Sequence, residues 1–356
     1  MNICFLAKDY SFNGGGERML CNLANNLGND YEVTVVSLDK SDKSSIYILD
    51  SSIRYVNANI KRRKINFFTK FDYVKYLLYN KSFFDNFDVI IGVGIICNLV
   101  LAFCAPKLKS ITIGWEHFCY DGTPLYQRVL RKFWFKRLTK VVVLTKKDLP
   151  KYLKINPNSI VIYNFTDMQF RKMPALDSKR FLFIGRLSKQ KGFLNFLRIV
   201  KLFCDINSDW NFKIIGKGPY QKKLFDFISA EKLEHRIIYQ EESCDIQAEM
   251  ESSSCLLLTS KWEGLPMVLI EALTCGLPAI SFDTITGPSD IINDGNTGFI
   301  VENYDMIQFV NRMLLFVSDK EKIWSFSKQS ILESALFSIK VQLPQWKLLV
   351  EEEFYG

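Results

Sequence analysis

A strand that runs into a glycine turn and then into a helix occurs in each half of this chain. In the first half, the apolar segment Asn2–Ala7 is followed by Gly14, Gly15 and Gly16 and by an amphipathic helix predicted over residues 17–27. In the second half, the apolar residues 181–184 run into a glycine with a helix start soon after it. This alternation is typical of doubly wound α/β sheets. At 356 residues, the chain is long enough for two such units with separate cores.

The second half contains two glutamates eight positions apart around a predicted helix start. Glu263 precedes Gly264 and Pro266, which are expected to end a strand and open a helix over about 266–275. The first amides of a helix lack intrahelical partners and can hold a phosphate or a sugar oxygen. Eight residues is slightly more than two helical turns, so Glu263 and Glu271 are expected to face one site. Alternatively, Glu263 caps the helix and Glu271 forms a surface ion pair.

A pair of cations surrounds another predicted helix start in the same half. Gly185 ends the strand 181–184, Arg186 follows it, and Lys191 immediately precedes Gly192. Two cations near a helix N-terminus, placed after a strand, would attract a diphosphate. The alternative is a basic turn that is exposed to solvent.

These two segments resemble the signature motifs of the family 4 retaining glycosyltransferases, which have the GT-B fold. Two further motifs follow in the order that the family has, a glycine turn at Gly216-Lys-Gly218-Pro219 and a helix start at Gly287-Pro288. The resemblance covers nearly the whole chain. It implies an α/β protein of the GT-B class, with two Rossmann-like doubly wound domains that face each other across a cleft.

The resemblance also implies roles for residues of the second half. Arg186 and Lys191 would clamp the diphosphate of a nucleotide-sugar donor. Glu263 would be a catalytic residue that positions the donor sugar, and Glu271 would bind the ribose. The other donor-binding residues implied in this half are Gly216, Gly264, Leu265, Pro266, Met267 and Val268. The segment 240–242 departs from the family because it reads Gln-Glu-Glu where relatives usually have a glycine, so this loop does not predict which nucleotide base is bound.

The expected domain boundary lies in the polar stretch 164–177, and we divide the chain after residue 168. Residues 1–168 are expected to form the acceptor-binding domain and residues 169–340 the donor-binding domain. The resemblance implies that residues 341–356 form a helix that packs back on the first domain.

The glycine loop near the N-terminus has two interpretations. As a dinucleotide-binding fingerprint it has the first two glycines but Met19 in place of the third, where a bulky side chain would hold helix and strand apart. Asp39, at the end of the second predicted strand, would then bind a ribose. The resemblance implies instead that Gly15 and Gly16 let the backbone approach the donor phosphates, since glycine permits close contact. An NAD-dependent oxidoreductase therefore stays open as an alternative.

His117 is one of only two histidines, and it follows a strand predicted over residues 110–113. Open α/β sheets bind ligands at the carboxyl ends of their strands, so this location favours a functional role. The resemblance implies that His117 is a catalytic residue that contacts the donor sugar or the leaving phosphate. The alternative is a structural histidine. The other histidine, His235, lies in a polar stretch and is expected at the surface.

No metal-binding pattern is visible, because the nine cysteines include no C-x-x-C pair and lie away from histidine ligands. The thiols are expected to be reduced and mostly buried. The apolar stretch 89–105 is nearly long enough to span a bilayer, but Gly92, Gly94 and Asn98 divide it into a predicted buried strand, Val89–Val93, and a buried helix. Because no signal peptide is evident, a cytoplasmic protein is expected. No cofactor is expected, since the nucleotide-sugar donor is a substrate.

A basic and aromatic segment lies at residues 124–151, which include nine Lys or Arg and a single acid, Asp148. Within it, apolar residues recur at helical spacing among cations: Tyr126, Val129, Leu130, Phe133 and Trp134 with Arg128, Arg131, Lys132 and Lys136. Such a helix resembles an interfacial anchor for an anionic membrane, and the cluster 61–64 with the phenylalanines after it extends the basic face. Alternatively, the aromatic stripe is core and the cations are its solvated side. Nucleic acid is not an expected partner, because no nucleic-acid motif accompanies the patch.

The residues and the resemblance together predict a retaining, metal-independent glycosyltransferase. It would move a sugar, N-acetylhexosamine or galactose, from a UDP-sugar to a hydroxyl of a lipid-linked saccharide on undecaprenyl diphosphate. The expected pathway is bacterial O-antigen, lipopolysaccharide or capsule biosynthesis, and the expected location is peripheral, on the cytoplasmic face of the plasma membrane. The alternatives are an NAD-dependent oxidoreductase and a non-catalytic protein that keeps a nucleotide-sugar pocket.

Overall fold

The computed structural model of the protein describes residues 1–11, 14–41, 45–61, 66–302 and 304–355, with the backbone alone at 66–68 and 353–355. It divides the chain into two compact units, one formed by Met1–Phe165 with Ile339–Gly356 and the other by Thr166–Ser338. The sequence-based division lies at residues 168 and 340. Each unit contains a parallel sheet with helices, which confirms the predicted GT-B class with two Rossmann-like domains.

The described part of the first unit contains a seven-stranded parallel sheet. Its strands are β1 Asn2–Ala7, β2 Glu32–Asp39, β3 Arg54–Ile60, β4 Val89–Val93, β5 Ile111–Trp115, β6 Lys140–Val143 and β7 Ser159–Val161. Six of its helices are α1 Gly15–Leu27, α2 Asn66–Tyr79, α3 Lys81–Phe84, α4 Gly94–Cys104, α5 Leu125–Trp134 and α6 Leu149–Leu153. The strand order is β3-β2-β1-β4-β5-β6-β7.

The apolar stretch 89–105 divides into β4 and α4, as its glycines predict. The strand is buried because helices cover both faces of a parallel sheet, and α4 packs against that sheet along most of its 11 residues. In the part of the chain that the structure describes, no helix has both the length and the apolar character needed to cross a membrane.

The described part of the second unit contains a six-stranded parallel sheet. Its strands are β8 Arg180–Ile184, β9 Asn211–Ile215, β10 Ile237–Gln240, β11 Cys255–Leu258, β12 Ala279–Asp283 and β13 Gly298–Glu302. Its helices are α7 Phe193–Cys204, α8 Gln221–Glu231, α9 Ile246–Glu251, α10 Met267–Thr274, α11 Pro288–Ile291, α12 Met306–Ser318 and α13 Lys320–Ser334. The strand order is β10-β9-β8-β11-β12-β13.

Each sheet reverses its strand order once, between β1 and β4 in the first unit and between β8 and β11 in the second. The connections that leave neighbouring strands at such a reversal run to opposite faces of the sheet, so a crevice opens at the carboxyl ends of the strands. The predicted site residues follow β1, β5, β8, β9 and β11. They therefore lie at or beside these reversals.

The last helix, α14 Ile339–Tyr355, belongs to the first unit. Its Trp346 packs edge-on against Trp115 at the end of β5, with the ring centroids 4.9 Å apart. Gln342 accepts a hydrogen bond from the backbone amide of Tyr163, and Lys347 pairs with Asp30 at 2.6 Å. The chain thus returns to the first unit after the second unit has been completed.

Helix α5 turns its apolar side outward, which corrects two expectations. Four of its apolar side chains are between 42% and 72% exposed: Leu125, Tyr126, Val129 and Phe133. Leu130 and Trp134 are half-buried, and Trp134 packs against the core of the first unit. The alternative in which the aromatic stripe is core is therefore wrong for Tyr126, Val129 and Phe133, whereas Trp134 does contact the core. Arg131, expected on the basic surface, is fully buried and pairs with Glu116 at 2.5 Å. A buried guanidinium requires such a partner, because burying it alone would cost several kcal/mol.

Candidate active site

In the first unit, His117 lies against the glycine turn that precedes α1. The helix begins at Gly15, and a methyl group added at Gly16 would lie 3.7 Å from Cγ of His117. β1 and β5 are both neighbours of β4, which places the turns after them on either side of the turn after β4. Gly15, Gly16 and His117 thus occupy one region of the first unit, while their roles toward a donor stay predictions.

The imidazole of His117 is packed on an aromatic base. Its ring centroid lies 4.3 Å from that of Trp115, which in turn contacts Trp346 of α14. Its Nε2 is enclosed and has no hydrogen-bond partner among the described residues. Burial lowers the pKa of His117 to about 4, so the imidazole is neutral near pH 7. A buried polar atom without a partner is costly, and a ligand hydroxyl or phosphate oxygen would satisfy it.

Asp39 is poorly placed for the dinucleotide alternative. It is fully buried, and the hydroxyl of Tyr73 donates a hydrogen bond to its carboxylate. Met19, at the position of the third fingerprint glycine, is itself fully buried in the core. A ribose would therefore have to displace Tyr73 before it could reach Asp39.

In the second unit, the turns after β8 and β11 bring Lys191 and Glu263 together. The two strands are neighbours at the reversal of the sheet. Nζ of Lys191 lies 2.6 Å from Oε1 of Glu263, and the hydroxyl of Ser260 donates to the same oxygen at 2.6 Å. Glu263 is 9% exposed. Two donors thus fix this carboxylate, and a fixed carboxylate can orient a hydroxyl-bearing ligand.

Arg186 differs from Lys191 in having an exposed side chain. Among the residues that the structure describes, it has no ion pair or side-chain hydrogen bond. The charge of Lys191 is compensated by Glu263, whereas the guanidinium of Arg186 is open to an anionic ligand. A guanidinium can bind two phosphate oxygens at once, so Arg186 suits the predicted role at a diphosphate.

Two glycines with positive φ allow the turns of this site to approach one another. Gly192 has φ 61°, and a Cβ there would lie 1.8 Å from the carbonyl oxygen of Thr259. The hydroxyl of Thr259 donates to the carbonyl of Lys191 at 3.1 Å, which ties the two turns together. Gly216 has φ 138°, and a Cβ there would lie 2.1 Å from the carbonyl oxygen of Gly185. Only glycine can occupy these positions without moving the backbone.

The geometry around α10 corrects one step of the sequence argument. The helix begins at Met267, so the residues from Glu263 to Pro266 are not helical. Counting two helical turns from Glu263 to Glu271 is therefore wrong, and their common orientation does not follow from helical periodicity. Glu271 lies within α10 and is 4% exposed. The amides of Leu269 and Ile270 bond to the carbonyl of Pro266, so the helical hydrogen bonding starts there. Of the predicted donor-binding residues, Gly264 and Leu265 precede the helix, and Met267 and Val268 lie in its first turn.

The unusual loop after β10 is tied to cations and amides of its own unit. Gln240 accepts from Nζ of Lys213 at 2.8 Å, and Glu241 accepts from Nε2 of Gln221 at 2.6 Å. Glu242 pairs with Lys217, the neighbour of Gly216. The departure from the family pattern thus adds acidic residues beside the predicted donor turn.

Sequence reasoning did not identify three residues that build the site. Ser260 holds the carboxylate of Glu263, and Thr286 donates to its backbone carbonyl at 3.1 Å. Trp346 supports the aromatic base under His117. A hydroxyl three positions before the motif glutamate was a usable local signal. Thr286 and Trp346 act across long sequence separations, which no local pattern reveals. Among the described residues, no group of three or more His, Cys, Asp or Glu side chains could hold a metal ion.

Residues 165–331 match the family model described as glycosyl transferases group 1. The amylovoran biosynthesis glycosyltransferase AmsD of Erwinia amylovora is 28% identical over 359 residues, which cover 97% of this chain and 98% of the relative. The GalNAc-alpha-(1->4)-GalNAc-alpha-(1->3)-diNAcBac-PP-undecaprenol alpha-1,4-N-acetyl-D-galactosaminyltransferase of Campylobacter jejuni is 26% identical over 372 residues and 99% of each chain. The solved structure of Anabaena HepE in complex with UDP and glucose is similar, with TM-score 0.82, 18% identity and 99% of each chain covered. The family match covers most of the unit that carries Arg186, Lys191, Glu263 and Glu271.

Proposed function

We propose, from the match of residues 165–331 to the group 1 glycosyl transferases, that this chain transfers a sugar from a UDP-sugar to a hydroxyl of a lipid-linked saccharide. The proposed context is the biosynthesis of a bacterial surface polysaccharide. The observation that carries the proposal is the cluster at the reversal of the second sheet. There, Glu263 is fixed by Lys191 and Ser260, and the exposed Arg186, which has no ion pair among the described residues, lies in the turn after the neighbouring strand.

The proposed mechanism is electrostatic, retains the anomeric configuration and uses no metal. Arg186, Lys191 and the amides at the start of α10 would stabilise the charge that develops on the leaving diphosphate. Glu263 would position the donor sugar. His117 would meet the reacting end as a neutral imidazole, because burial keeps its pKa at about 4. Such a neutral group can accept or donate one hydrogen bond without adding charge.

The choice of UDP and of a lipid-linked acceptor is supported by named relatives. The Anabaena structure was solved with UDP and glucose, and the Campylobacter relative is named for extending a saccharide on undecaprenyl diphosphate. We propose N-acetylhexosamine or galactose as the transferred sugar. A hexosamine is the sugar that the Campylobacter relative transfers by name.

A binding experiment tests the nucleotide. We expect UDP to bind the purified protein at least about tenfold more tightly than GDP, ADP or NAD in calorimetric titrations. A chelator should leave this affinity unchanged, because the proposed diphosphate site consists of Arg186, Lys191 and helix amides. Selective binding of NAD would contradict the proposed function and favour an oxidoreductase. UDP-sugar binding without turnover of any sugar nucleotide would favour the non-catalytic alternative.

We further propose that the protein binds the anionic cytoplasmic face of the plasma membrane through the α5 surface. This surface consists of Phe71, Phe103, Tyr126, Val129 and Phe133 with Lys70, Lys75, Lys132, Lys136 and Arg137. Nζ of Lys70 lies 5.5 Å from the ring centroid of Tyr126, and this contact joins α2 to α5. The aromatic side chains of the α5 surface are between 41% and 63% exposed. Exposed aromatic residues among cations suit a lipid interface. Arg62, Arg63, Lys64 and the side chains of Phe67 and Phe68, expected to extend this face, lie outside the described residues.

Reversing two charges of the α5 surface should release the protein from anionic vesicles. We expect Lys132→Glu with Lys136→Glu to weaken vesicle binding by at least about 30-fold, since each cation near an anionic surface contributes about 1 kcal/mol and the new carboxylates are repelled. Donor hydrolysis should be unchanged. The matched control reverses Lys222 and Lys223, which are exposed on α8 of the second unit. Equal vesicle binding by the two double variants, measured by sedimentation, would show that the α5 surface is simply a solvated face.

A further inference from the structure

The residue that precedes His117 has a buried carboxylate held by three donors. Glu116 is 2% exposed, and its Oε1 accepts from Nδ2 of Asn98 at 2.7 Å. Its Oε2 accepts from the guanidinium of Arg131 and, at 2.7 Å, from the hydroxyl of Tyr152. Burial raises the pKa of the Tyr152 hydroxyl, which therefore stays protonated and donates. Three different helices, α4, α5 and α6, thus converge on this one carboxylate.

The backbone around Glu116 is fixed by the same region. Nδ2 of Asn98 also donates to the carbonyl of Trp115 at 3.0 Å, and the amide of Glu116 donates to the carbonyl of Val142 at 2.9 Å. The carbonyl before Glu116, its amide and its side chain are therefore all anchored. His117 is the next residue, so its position depends directly on these anchors.

His117 has few anchors of its own. Its Nε2 has no partner in the described part of the chain, and its ring is located by the contact with Trp115 and by the neighbouring Gly16. An imidazole that must meet a ligand with correct geometry needs support from the residues around it. The anchored backbone at Glu116 can supply that support.

We propose that Glu116 is a positioning residue for His117 and that Arg131 and Tyr152 act through it. The proposal rests on the proposed function, in which His117 acts at the reacting end of the donor. A purely structural ion pair would stabilise the fold without affecting the imidazole. If Glu116 positions His117, removing a contact of Glu116 changes the environment of the imidazole, whereas loss of a purely structural ion pair does not.

The chain has only two histidines, so their imidazole resonances can be followed separately in ¹⁵N-labelled protein. We expect Glu116→Gln to shift the resonances of His117 and to leave those of the exposed His235 unchanged. The new amide would present a donor either to Asn98 or to the donors on Oε2, so one anchor must be lost. We expect kcat for sugar transfer to fall about 10-fold or more, with KM for the donor within about twofold, because small misplacements near the chemistry are costly.

Tyr152→Phe tests the same contact more mildly, should Glu116→Gln fail to fold. It removes a single donor from Glu116 and keeps the ring beside Arg131, whose guanidinium lies 5.8 Å from the ring centroid. Tyr120→Phe is the matched control, because that ring also lies beside Arg131, at 5.5 Å, while its hydroxyl does not contact Glu116. We expect Tyr152→Phe to shift the His117 resonances and lower kcat several-fold. Tyr120→Phe should change neither.

Three outcomes decide the proposal. Shifts of His117 with a loss of kcat in Tyr152→Phe, and none in Tyr120→Phe, would support it. Unchanged His117 resonances in Tyr152→Phe and in folded Glu116→Gln would overturn it, even if stability fell. If the wild-type protein turned over no sugar nucleotide, the proposed function would fail, whereas the resonances alone would still show whether Glu116 positions His117.

Discussion

Replacing Arg186 by alanine is expected to lower the rate of sugar transfer by about 100-fold or more, which is the usual effect of removing one donor that stabilises transition-state charge. Arg186 is exposed and has no ion pair in the described structure, so its charge is available to a leaving diphosphate. Lys191 can replace it only in part, because the lysine charge is shared with Glu263 at 2.6 Å. The measurement is kcat/KM for release of UDP from the donor.

The matched control for this loss is Arg198→Ala, which removes an exposed arginine from α7 in the same unit. Transfer by that variant should be within about twofold of the wild-type rate, in line with the small effects of surface substitutions away from a site. Arg186→Lys should keep part of the activity, because an ammonium keeps the charge but not the two-pronged geometry. Near-normal transfer by Arg186→Ala would remove this residue from the diphosphate site.

Replacing Arg131 by methionine is expected to lower the free energy of unfolding of the first unit by about 3–5 kcal/mol. The substitution keeps most of the side-chain volume but leaves Glu116 charged, 2% exposed and without its ionic partner. Because the protein has two units, the loss should be measured by hydrogen exchange of the β5 amides, which reports on local stability.

The double variant Arg131→Met with Glu116→Gln should recover most of that loss, since replacing both charges of a buried pair is often neutral. Arg128→Met is the control on the same helix. Arg128 pairs with Asp121 at 3.6 Å, and both side chains are partly exposed, so its loss should cost about 1 kcal/mol or less. An Arg131→Met variant as stable as Arg128→Met would contradict the account of this pair.

Much of the fold follows from local sequence because buried parallel strands are continuous apolar runs. β1 and β4 have the bounds predicted from their apolar residues. β5 was predicted over 110–113, but it continues to Trp115, which pairs with Val142 of β6. Gly114 resembles the end of a strand locally, and only the pairing with β4 and β6 on either side continues the strand past it.

The orientation of α5 could not be predicted from its sequence. Helical periodicity identifies an apolar stripe with cations around it, and it leaves open which side faces the protein. The orientation of α5 depends on Glu116, which follows β5 and forms a buried ion pair with Arg131. The pairing of Lys191 with Glu263 could not be predicted locally either, because it depends on β8 lying beside β11. Contacts between distant segments, rather than local patterns, complete the site.

The contact between Trp115 and Trp346 has a consequence for the synthesis of this protein. β5 leaves the ribosome long before α14, so the indole of Trp115 lacks its contact with Trp346 until the second unit has also been translated. Although domains generally fold in order from the N-terminus, the first unit here must wait for its last helix. We expect nascent chains stalled before residue 346 to be cut by protease near β5 and full-length chains to resist. The first unit can therefore be completed only after the second unit has been synthesised.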